Sequence, residues 1–352
     1  MRVLLTGAGG FIGQAIGDQL RARGDEVVGV DAFIPQAHRS EPESSEGMHR
    51  LDVRESADWV DLLRGVDVVC HQAAMVGAGV TVADLPLYAA HNDLGTAALL
   101  AAMGEAAVGN LVLASSMVVY GEGRYRCPTH DLQAPGPRPL EALRAGRFDN
   151  GCPCCGKVLE WELVSEDAAL DPRSSYAVSK LAQEHYSSAW ARQAGGKAIA
   201  LRYHNVYGPH MPQDTPYSGV AAIFRSSLER GEPPRVFEDG GQMRDFVHVA
   251  DVARANVLSI DAAAGRGTGS LAAYNVCSGR PVSIREVAAY VADGAEVPVE
   301  PTVTGEFRSG DVRHIVAAHA RAEAELGFRA EIAPEVGLAQ LATAPLRATT
   351  SS

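Results

Sequence analysis

The sequence predicts an α/β fold in which a doubly wound parallel sheet is followed by a smaller C-terminal α/β lobe. Short apolar runs of strand length occur at residues 2–5, 27–30, 66–70, 111–114 and 198–201. Stretches with a helical spacing of apolar residues lie between them, as in 94–103 and 179–193. Strands that alternate with helices are typical of a parallel sheet covered on both faces. Beyond residue 206 the alternation weakens, which indicates the smaller lobe.

Composition and charge limit the possible functions. The 352 residues carry a net charge of −12, and 46 % hydrophobic and 21 % charged residues are ordinary for a globular protein. A nucleic-acid-binding protein would normally present a basic face, and an acidic chain is not attracted to anionic membranes, so neither partner is expected. The sequence has no run of about 18 apolar residues. Because glycines follow the N-terminal apolar run too early for an export signal, we expect a cytoplasmic protein with reduced cysteines.

A glycine-rich turn joins the first apolar run to the first helix. Gly7 permits a tight turn, Gly10 lets the backbone approach a pyrophosphate, and Gly13 allows the helix to pack closely on the strand. Asp31 stands 18 residues after Gly13, at the end of the second strand, where it would bind ribose hydroxyls and repel a 2′-phosphate. A turn without a ligand, with Asp31 as a strand-end cap, is the alternative. The strand–turn–helix context favours a Rossmann-type site for NAD.

Two further segments end at the same edge of the predicted sheet. Asp52 and Val53 occur where the chain could border the adenine. The residues 72–74 directly follow the third strand, so their backbone lies where ligands bind in this architecture. His71 precedes them and is more typical of a structural histidine, so we assign it no chemistry. Together the predicted NAD contacts are Gly7, Gly10, Phe11, Ile12, Gly13, Asp31, Asp52, Val53, Gln72, Ala73 and Ala74.

Tyr176 and Lys180 form the predicted catalytic pair. They are four residues apart, so they share one face of a helix. A lysine ammonium, together with the positive nicotinamide of NAD, would stabilise the phenolate and let Tyr176 take a proton from a sugar hydroxyl. Ser116, at the end of the fourth strand, would orient the reacting oxygen. The alternative is a surface tyrosine near a surface lysine, and the position downstream of the glycine turn argues against it.

Residues 122–171 are a Cys-rich insertion where a simple sheet needs only a short connection. Cys127 and His130 are followed, after 21 residues, by Cys152 and Cys155. This pattern is typical of two zinc knuckles, and four protein ligands would make the zinc structural. Free thiols, or a redox pair of Cys152 and Cys155, are the alternative, and Cys154 could substitute as a ligand. The insertion could act as a lid or as a contact between subunits.

These residues resemble the extended short-chain dehydrogenase/reductase family, of the nucleotide-sugar 4-epimerase type, over roughly 1–121 and 172–330. Further matching segments are Asn92 with Gly95-Thr96, Tyr120-Gly121, Arg202 to Pro209, Arg244 to Val252, Tyr274 to Val276 and Gly310 to His314. The resemblance implies a homodimer, a nucleotide-diphosphate sugar as partner, and Asn92, Ser115 and Tyr203 beside the NAD. It also implies that Asn205, Arg244 and Arg308 contact the diphosphate and Asp311 the nucleotide ribose. His204 departs from the family, which usually has an aromatic residue there.

The family contains several activities, and one detail narrows the choice. Dehydratases and uronate decarboxylases of this type resemble one another in having acidic residues directly after the catalytic hydroxyl residue, whereas Met117 and Val118 stand here. The leading hypothesis is therefore epimerisation at carbon 4 of a UDP- or dTDP-hexose, through a transient 4-keto sugar. This reaction needs NAD, which Asp31 favours. An NAD(P)H-dependent 4-ketoreductase remains an alternative. A non-catalytic NAD-binding regulator is a third possibility, against which the retention of Ser116, Tyr176 and Lys180 counts.

The cysteine-bearing insertion resembles that of bacterial proteins related to dTDP-L-rhamnose 4-epimerase, which favours a deoxysugar substrate. We expect the chain to divide into four parts. Residues 1–121 and 172–205 form the NAD-binding domain, 122–171 the insertion, and 206–345 mainly the substrate-binding lobe, with some segments returning to the first domain. Residues 346–352 are expected to form a flexible tail.

Overall fold

A seven-stranded parallel sheet forms the centre of the molecule, so the predicted α/β class is confirmed. The computed structural model describes residues 1–34, 38, 47–77, 82–213, 219–297 and 299–347. The strand order is β13-β9-β5-β4-β1-β2-β3. These strands are β1 (Arg2–Thr6), β2 (Glu26–Asp31), β3 (Met48–Arg50), β4 (Val68–His71), β5 (Asn110–Ser116), β9 (Lys197–Tyr203) and β13 (Ser270–Val276).

The sheet forms because its strands are apolar on both faces. Val3 and Leu5 of β1 belong to one hydrophobic cluster, and the intervening Leu4 belongs to a second cluster on the opposite face. All three side chains are completely buried. Strands covered on both sides read as continuous apolar runs, which explains why the sequence pattern predicts them.

Helices cover both faces of the sheet. On one face α1 packs on α7, and on the other α3 packs on α5 and on a kinked 3-10 segment, Val53–Leu63. Among the described residues, no helix combines the length and the apolar character needed to cross a membrane. The helices are α1 (Phe11–Arg23), α2 (Leu85–Tyr88), α3 (Gly95–Glu105), α4 (Leu140–Arg144), α5 (Ser175–Ala194), α6 (Val220–Glu229), α7 (Val249–Ala263), α8 (Ile284–Asp293), α9 (Ala320–Leu326) and α10 (Pro334–Leu341). A π-helical segment, Ala89–Leu94, leads into α3.

A smaller lobe and a small hairpin sheet complete the fold. The lobe contains a β10-β12-β14 sheet and a β11-β15 pair, against which α6, α8 and α10 pack around a third apolar cluster. The insertion contains an antiparallel β7-β6-β8 sheet. The remaining strands are β6 (Arg124–Cys127), β7 (Asp131–Gln133), β8 (Glu160–Glu162), β10 (Asn205–Tyr207), β11 (Arg235–Val236), β12 (Met243–His248), β14 (Pro281–Ser283) and β15 (Thr302–Val303).

Residues 346 and 347 are held against the rest of the fold. The Arg347 amide donates to the Met211 carbonyl at 3.0 Å, and the Arg347 carbonyl accepts from Gln213 at 2.8 Å. Leu346 packs against the third apolar cluster. A flexible tail from residue 346 is therefore incorrect for Leu346 and Arg347, because main-chain hydrogen bonds and an apolar contact hold them. The rest of the predicted tail lies outside the described residues.

Candidate functional site

The glycine-rich turn has the geometry that a dinucleotide requires. Gly7 has a φ of +65°, and a Cβ there would lie 2.7 Å from the Ala73 amide nitrogen. A Cβ on Gly13 would lie 2.0 Å from the Gly7 carbonyl oxygen, so helix α1 could not pack this closely with any other residue. No side chain among the described residues caps the start of α1, and its first turn carries no acidic group. The positive end of the helix dipole is therefore left to attract a phosphate.

Asp31 is held in a fixed orientation at the end of β2. Its carboxylate accepts hydrogen bonds from the amides of Gly9 at 3.0 Å and Phe33 at 2.8 Å. His38 Nε2 lies 3.5 Å from the same carboxylate. Sequence reasoning did not find His38, because it lies seven residues beyond the motif with no pattern to mark it. The carboxylate is thus positioned for ribose hydroxyls at the expected edge of the sheet.

A cleft of about 340 Å³ brings most of the predicted cofactor residues together. It also contains residues without a sequence signal, among them His38, Met211 and Arg347. Arg347 Nη1 donates to the Gly9 carbonyl at 2.8 Å, so a cation stands beside the glycine turn. The predicted residues that line the cleft are Gly7, Gly10, Phe11, Ile12, Gly13, Asp31, Asp52, Val53, Gln72, Ala73, Ala74, Ser115, Tyr176, Lys180 and Tyr203.

Asn92 is the one predicted cofactor residue that does not line this cleft. Its amide is completely buried, donates to the Met75 carbonyl and to Ser179 Oγ, and accepts from the Met75 amide. These bonds fasten the loop after β4 to helix α5. The direct NAD contact of Asn92 stays a prediction, and in this structure its amide supports the residues around the cleft.

Two histidines near the site are structural. His71 bonds the hydroxyls of Thr6 at 2.7 Å and Thr96 at 3.0 Å, and burial lowers the pKa of His71 to about 3. His204 is buried, its pKa is also lowered to about 3 by burial, and it belongs to neither cavity lining. Both imidazoles are neutral at physiological pH.

Ser116, Tyr176 and Lys180 meet at the end of β5. Helix α5 begins at Ser175, where Ser174 caps it by accepting from the Ala177 amide at 3.1 Å. The Ser116 hydroxyl lies near enough to the Tyr176 phenol to lower its pKa. Lys180 Nζ lies 5.9 Å from the centre of the Tyr176 ring and donates to the Ala114 carbonyl at 2.9 Å. The strand end and the first turns of α5 together place an acid–base group, a cation and a hydroxyl at one point.

The pKa values of Tyr176 and Lys180 differ from those expected of a tyrosine that is activated by a charged lysine. Burial raises the pKa of Tyr176 to about 12, although the nearby Ser116 hydroxyl lowers it. Burial also lowers the pKa of Lys180 to about 7, while the carboxylate of Glu184 raises it. In the protein alone the phenol therefore stays protonated at neutral pH, because burial disfavours its charged form. A second positive charge in the cleft would favour the phenolate.

A buried ion pair joins helix α5 to strand β9 and was not predicted. Glu184 accepts from Arg202 Nε at 2.9 Å and Nη2 at 2.8 Å, and from Ser115 Oγ. Arg202 Nη1 also donates to the Tyr120 hydroxyl at 2.9 Å. The helical spacing of Tyr176, Lys180 and Glu184, four residues apart each time, is a signal that could have found it.

A second cavity, of about 680 Å³, contains all four residues predicted to hold a nucleotide diphosphate: Asn205, Arg244, Arg308 and Asp311. The Arg244 guanidinium donates to the main-chain carbonyls of Val312 at 2.7 Å and Arg313 at 2.9 Å. These neutral partners orient Arg244 without cancelling its charge. Arg308 stacks over the Phe237 ring at 5.3 Å. The cavity thus offers two cations to an anion.

The four predicted metal ligands also converge. One ligand atom of each residue lies within 4.8 Å of the others: Cys127, His130, Cys152 and Cys155. The Sγ atoms of Cys127 and Cys155 are 3.8 Å apart, and His130 Nδ1 is 3.7 Å from Cys127 Sγ and 3.6 Å from Cys152 Sγ. All six cysteines are free thiols. A zinc ion about 2.3 Å from sulfur and about 2.0 Å from nitrogen, at a tetrahedral centre, spaces its ligands at about these separations.

Comparison with known proteins establishes the family. The family described as NAD dependent epimerase/dehydratase matches residues 3–141 and 154–277. The chain therefore belongs to this family, and the predicted resemblance is confirmed. The unmatched residues 142–153 include Cys152 and lie within the insertion.

Individual relatives are similar in sequence to nearly the whole of this chain. A dTDP-L-rhamnose 4-epimerase of Burkholderia thailandensis is 33 % identical over 97 % of this chain and 94 % of its own length. A UDP-glucose 4-epimerase of Mycolicibacterium smegmatis is 31 % identical over 97 % of each chain. The structure of a UDP-glucose 4-epimerase from Thermus thermophilus with NAD superposes with a TM-score of 0.75, at 31 % identity, over 97 % of this chain and 98 % of that one. The predicted enzyme class, an NAD-dependent epimerase, is confirmed.

Proposed function

We propose that the chain is a nucleotide-sugar 4-epimerase that retains NAD and inverts carbon 4 of a dTDP-linked 6-deoxyhexose, an activity that belongs to deoxysugar biosynthesis. The observation that carries the proposal is the position of Tyr176 and Lys180 in the NAD cleft, with Ser116 near the Tyr176 phenol, in a chain whose second cavity contains Arg244. The dTDP-L-rhamnose 4-epimerase named among its relatives favours the deoxysugar.

Tyr176 handles the proton in the proposed reaction. Bound NAD supplies the hydride acceptor and donor for carbon 4 of the sugar. The Tyr176 phenolate takes the proton of the 4-hydroxyl as that carbon is oxidised, and it returns the proton to the same oxygen when the carbon is reduced from the other face. Ser116, whose hydroxyl lowers the pKa of the phenol, orients the reacting oxygen. Lys180 stabilises the phenolate by its charge.

The second cavity holds the part of the substrate that does not react. Arg244 and Arg308 bind diphosphate oxygens, Asn205 donates its amide, and Asp311 accepts from the nucleotide ribose. Because the diphosphate stays bound, the 4-keto sugar rotates without leaving the protein. This division explains why one face of a sugar can be oxidised and the other reduced in a single binding event.

We also propose a structural zinc ion in the insertion, bound by Cys127, His130, Cys152 and Cys155. Its support is the tetrahedral spacing of the four donor atoms.

A homodimer in the cytoplasm is the expected state. Exposed apolar side chains lie at the start of α3 and along α5, namely those of Leu94, Val178 and Tyr186. Light scattering after gel filtration tests the dimer, and a mass of one chain, 37.1 kDa, would contradict it.

A substrate panel tests the activity. The purified protein is incubated with dTDP- and UDP-linked hexoses, 6-deoxyhexoses and uronates, without added reductant. A C4 epimer, identified by proton NMR, with no net change in absorbance at about 340 nm, is the expected result. If a 4-keto sugar instead consumes NAD(P)H stoichiometrically and no epimer forms, the 4-ketoreductase replaces the epimerase. An epimer formed from UDP-hexoses alone would contradict the deoxysugar.

A further inference from the structure

Two segments of the insertion, strand β6 and residues 149–152, connect the Cys/His cluster to residues 313 and 314. Cys127 ends strand β6, and Tyr125 lies two residues before it on the same strand. Cys152 follows Asp149 and Asn150 closely in sequence. Cys127, Cys152, Tyr125 and Leu159 form a small apolar cluster of their own. So small a hydrophobic core rarely stabilises a fold without an additional cross-link, and a bound metal ion provides such a cross-link.

A buried charge network extends from this insertion into the substrate-binding lobe. Arg138 of the insertion donates to both oxygens of Glu238, at 2.9 and 2.7 Å. Arg313 donates to Glu238 at 2.8 Å and, through Nε, to Asp149 at 2.8 Å. The side chains of Arg138, Glu238 and Arg313 are at most 3 % exposed. Charges this deeply buried are costly unless every partner keeps its place, so the network links the two parts rigidly.

The same network holds the chain that orients the diphosphate-binding arginine. Arg138 donates to the Asp311 carbonyl at 2.8 Å, and the His314 amide donates to the Tyr125 hydroxyl at 3.0 Å. Two of the carbonyls that accept from Arg244 belong to residues 312 and 313, between these two anchors, and a third, that of Met243, belongs to β12. Asp311 and Glu238 themselves line the second cavity. The position of Arg244 therefore depends on the insertion being folded.

We propose that a zinc ion bound by Cys127, His130, Cys152 and Cys155 is a positioning element of the nucleotide-sugar site. The ion fixes the segment 149–152 against β6, this segment and Arg138 hold residues 311–314, and those residues orient Arg244. The NAD cleft shares none of these contacts, so the ion affects the substrate and not the cofactor. The inference rests on the proposed function for the identity of the ligand, but the mechanical link is independent of it.

Metal removal from the whole protein is the first test. Zinc is measured by mass spectrometry in the purified reduced protein, and a chelator then yields the metal-free form. We expect one zinc ion per chain, and on its removal faster hydrogen–deuterium exchange in peptides covering 309–317. The affinity for UDP and dTDP, measured by calorimetry, falls about tenfold or more, the effect of losing one charge-assisted hydrogen bond. NAD affinity stays within about twofold of its original value, and added Zn²⁺ restores both changes.

Two variants separate the effect of the metal ion from the effect of the contact between the insertion and residues 311–314. Cys155→Ser removes a ligand, whereas Cys154→Ser is its matched control, since Cys154 is exposed and lies outside the cluster. Asp149→Asn keeps the four ligands but breaks the ion pair with Arg313, so it should retain zinc and still lose nucleotide affinity. If Cys155→Ser fails to fold, Asp149→Asn and the chelated wild type still decide the question.

Three outcomes overturn the proposal. Zinc that is absent and does not bind when added is the first, and unchanged exchange in 309–317 after chelation is the second. The third is a loss of NAD affinity equal to the loss of nucleotide affinity, which would indicate general unfolding. Failure of the proposed function looks different, because then the zinc-loaded wild type binds neither UDP nor dTDP while exchange in 309–317 still responds to the metal.

Discussion

Replacing Tyr176 by phenylalanine should greatly slow turnover while leaving the fold and the NAD site in place. The side chain loses only its hydroxyl, which lies near that of Ser116. The ring keeps its contacts with Tyr88, 6.0 Å between centroids, and with Lys180 Nζ, 5.9 Å from the centroid. Losing one hydrogen bond costs about 1 kcal/mol of stability. Losing the acid–base group costs about 10²- to 10⁴-fold in rate, or about 3–5 kcal/mol of barrier.

The assay compares three preparations under identical conditions. Epimer formation is followed by proton NMR for the wild type, Tyr176→Phe and Tyr186→Phe, and bound NAD is quantified after acid release. Tyr186 is on the same helix but 45 % exposed, so its variant controls for the loss of a tyrosine hydroxyl from α5. We expect wild-type NAD content in all three and a defect in Tyr176→Phe alone. Turnover of Tyr176→Phe within about tenfold of the wild type would refute the assignment of the proton transfer.

Three further changes probe the cofactor site. Asp31→Ser should bring the affinities for NAD and NADP within about tenfold of each other, because it removes a carboxylate that favours ribose hydroxyls and repels a 2′-phosphate. Titration of the cofactor-free protein with each cofactor measures the two affinities. An unchanged preference for NAD would contradict the expectation. Arg347→Gln should weaken NAD binding about tenfold in the same titration, because it removes a cation beside the glycine turn, whereas an unchanged affinity would show that Arg347 does not contact phosphate. Lys180→Met should raise the pH at which the rate of C4 oxidation is half-maximal, because a cation favours the phenolate and its loss raises the pKa of Tyr176; a pH profile that does not move upward would contradict this.

The sequence was sufficient for the elements whose chemistry is local. The glycine turn needs glycine at fixed spacing, since a Cβ at Gly13 would lie 2.0 Å from the Gly7 carbonyl oxygen. Asp31 ends a buried strand, and Tyr176 and Lys180 share one helical face by their spacing alone. The Cys/His pattern of the insertion likewise predicted which four residues would converge.

The sequence was less informative where polar side chains bond to the main chain of distant segments. Asn92 has the family pattern, but its amide bonds Met75 and Ser179 and does not reach the cleft. Nothing in the C-terminal residues marks Arg347 as a neighbour of Gly9, because 338 positions separate them in the chain. Such contacts follow from packing and not from local spacing.

Local periodicity and fixed spacing thus determined the parallel sheet, the glycine turn, the shared helical face of Tyr176 and Lys180, and the four residues of the Cys/His cluster. Only the tertiary structure decided that burial raises the pKa of Tyr176 and lowers that of Lys180, because desolvation depends on everything packed around the pair. It also decided that Arg138 of the insertion and Arg313 of the second lobe share the carboxylate of Glu238. The spacing of side chains along the chain can be read from the sequence. Their burial and their contacts with distant segments depend on the folded structure.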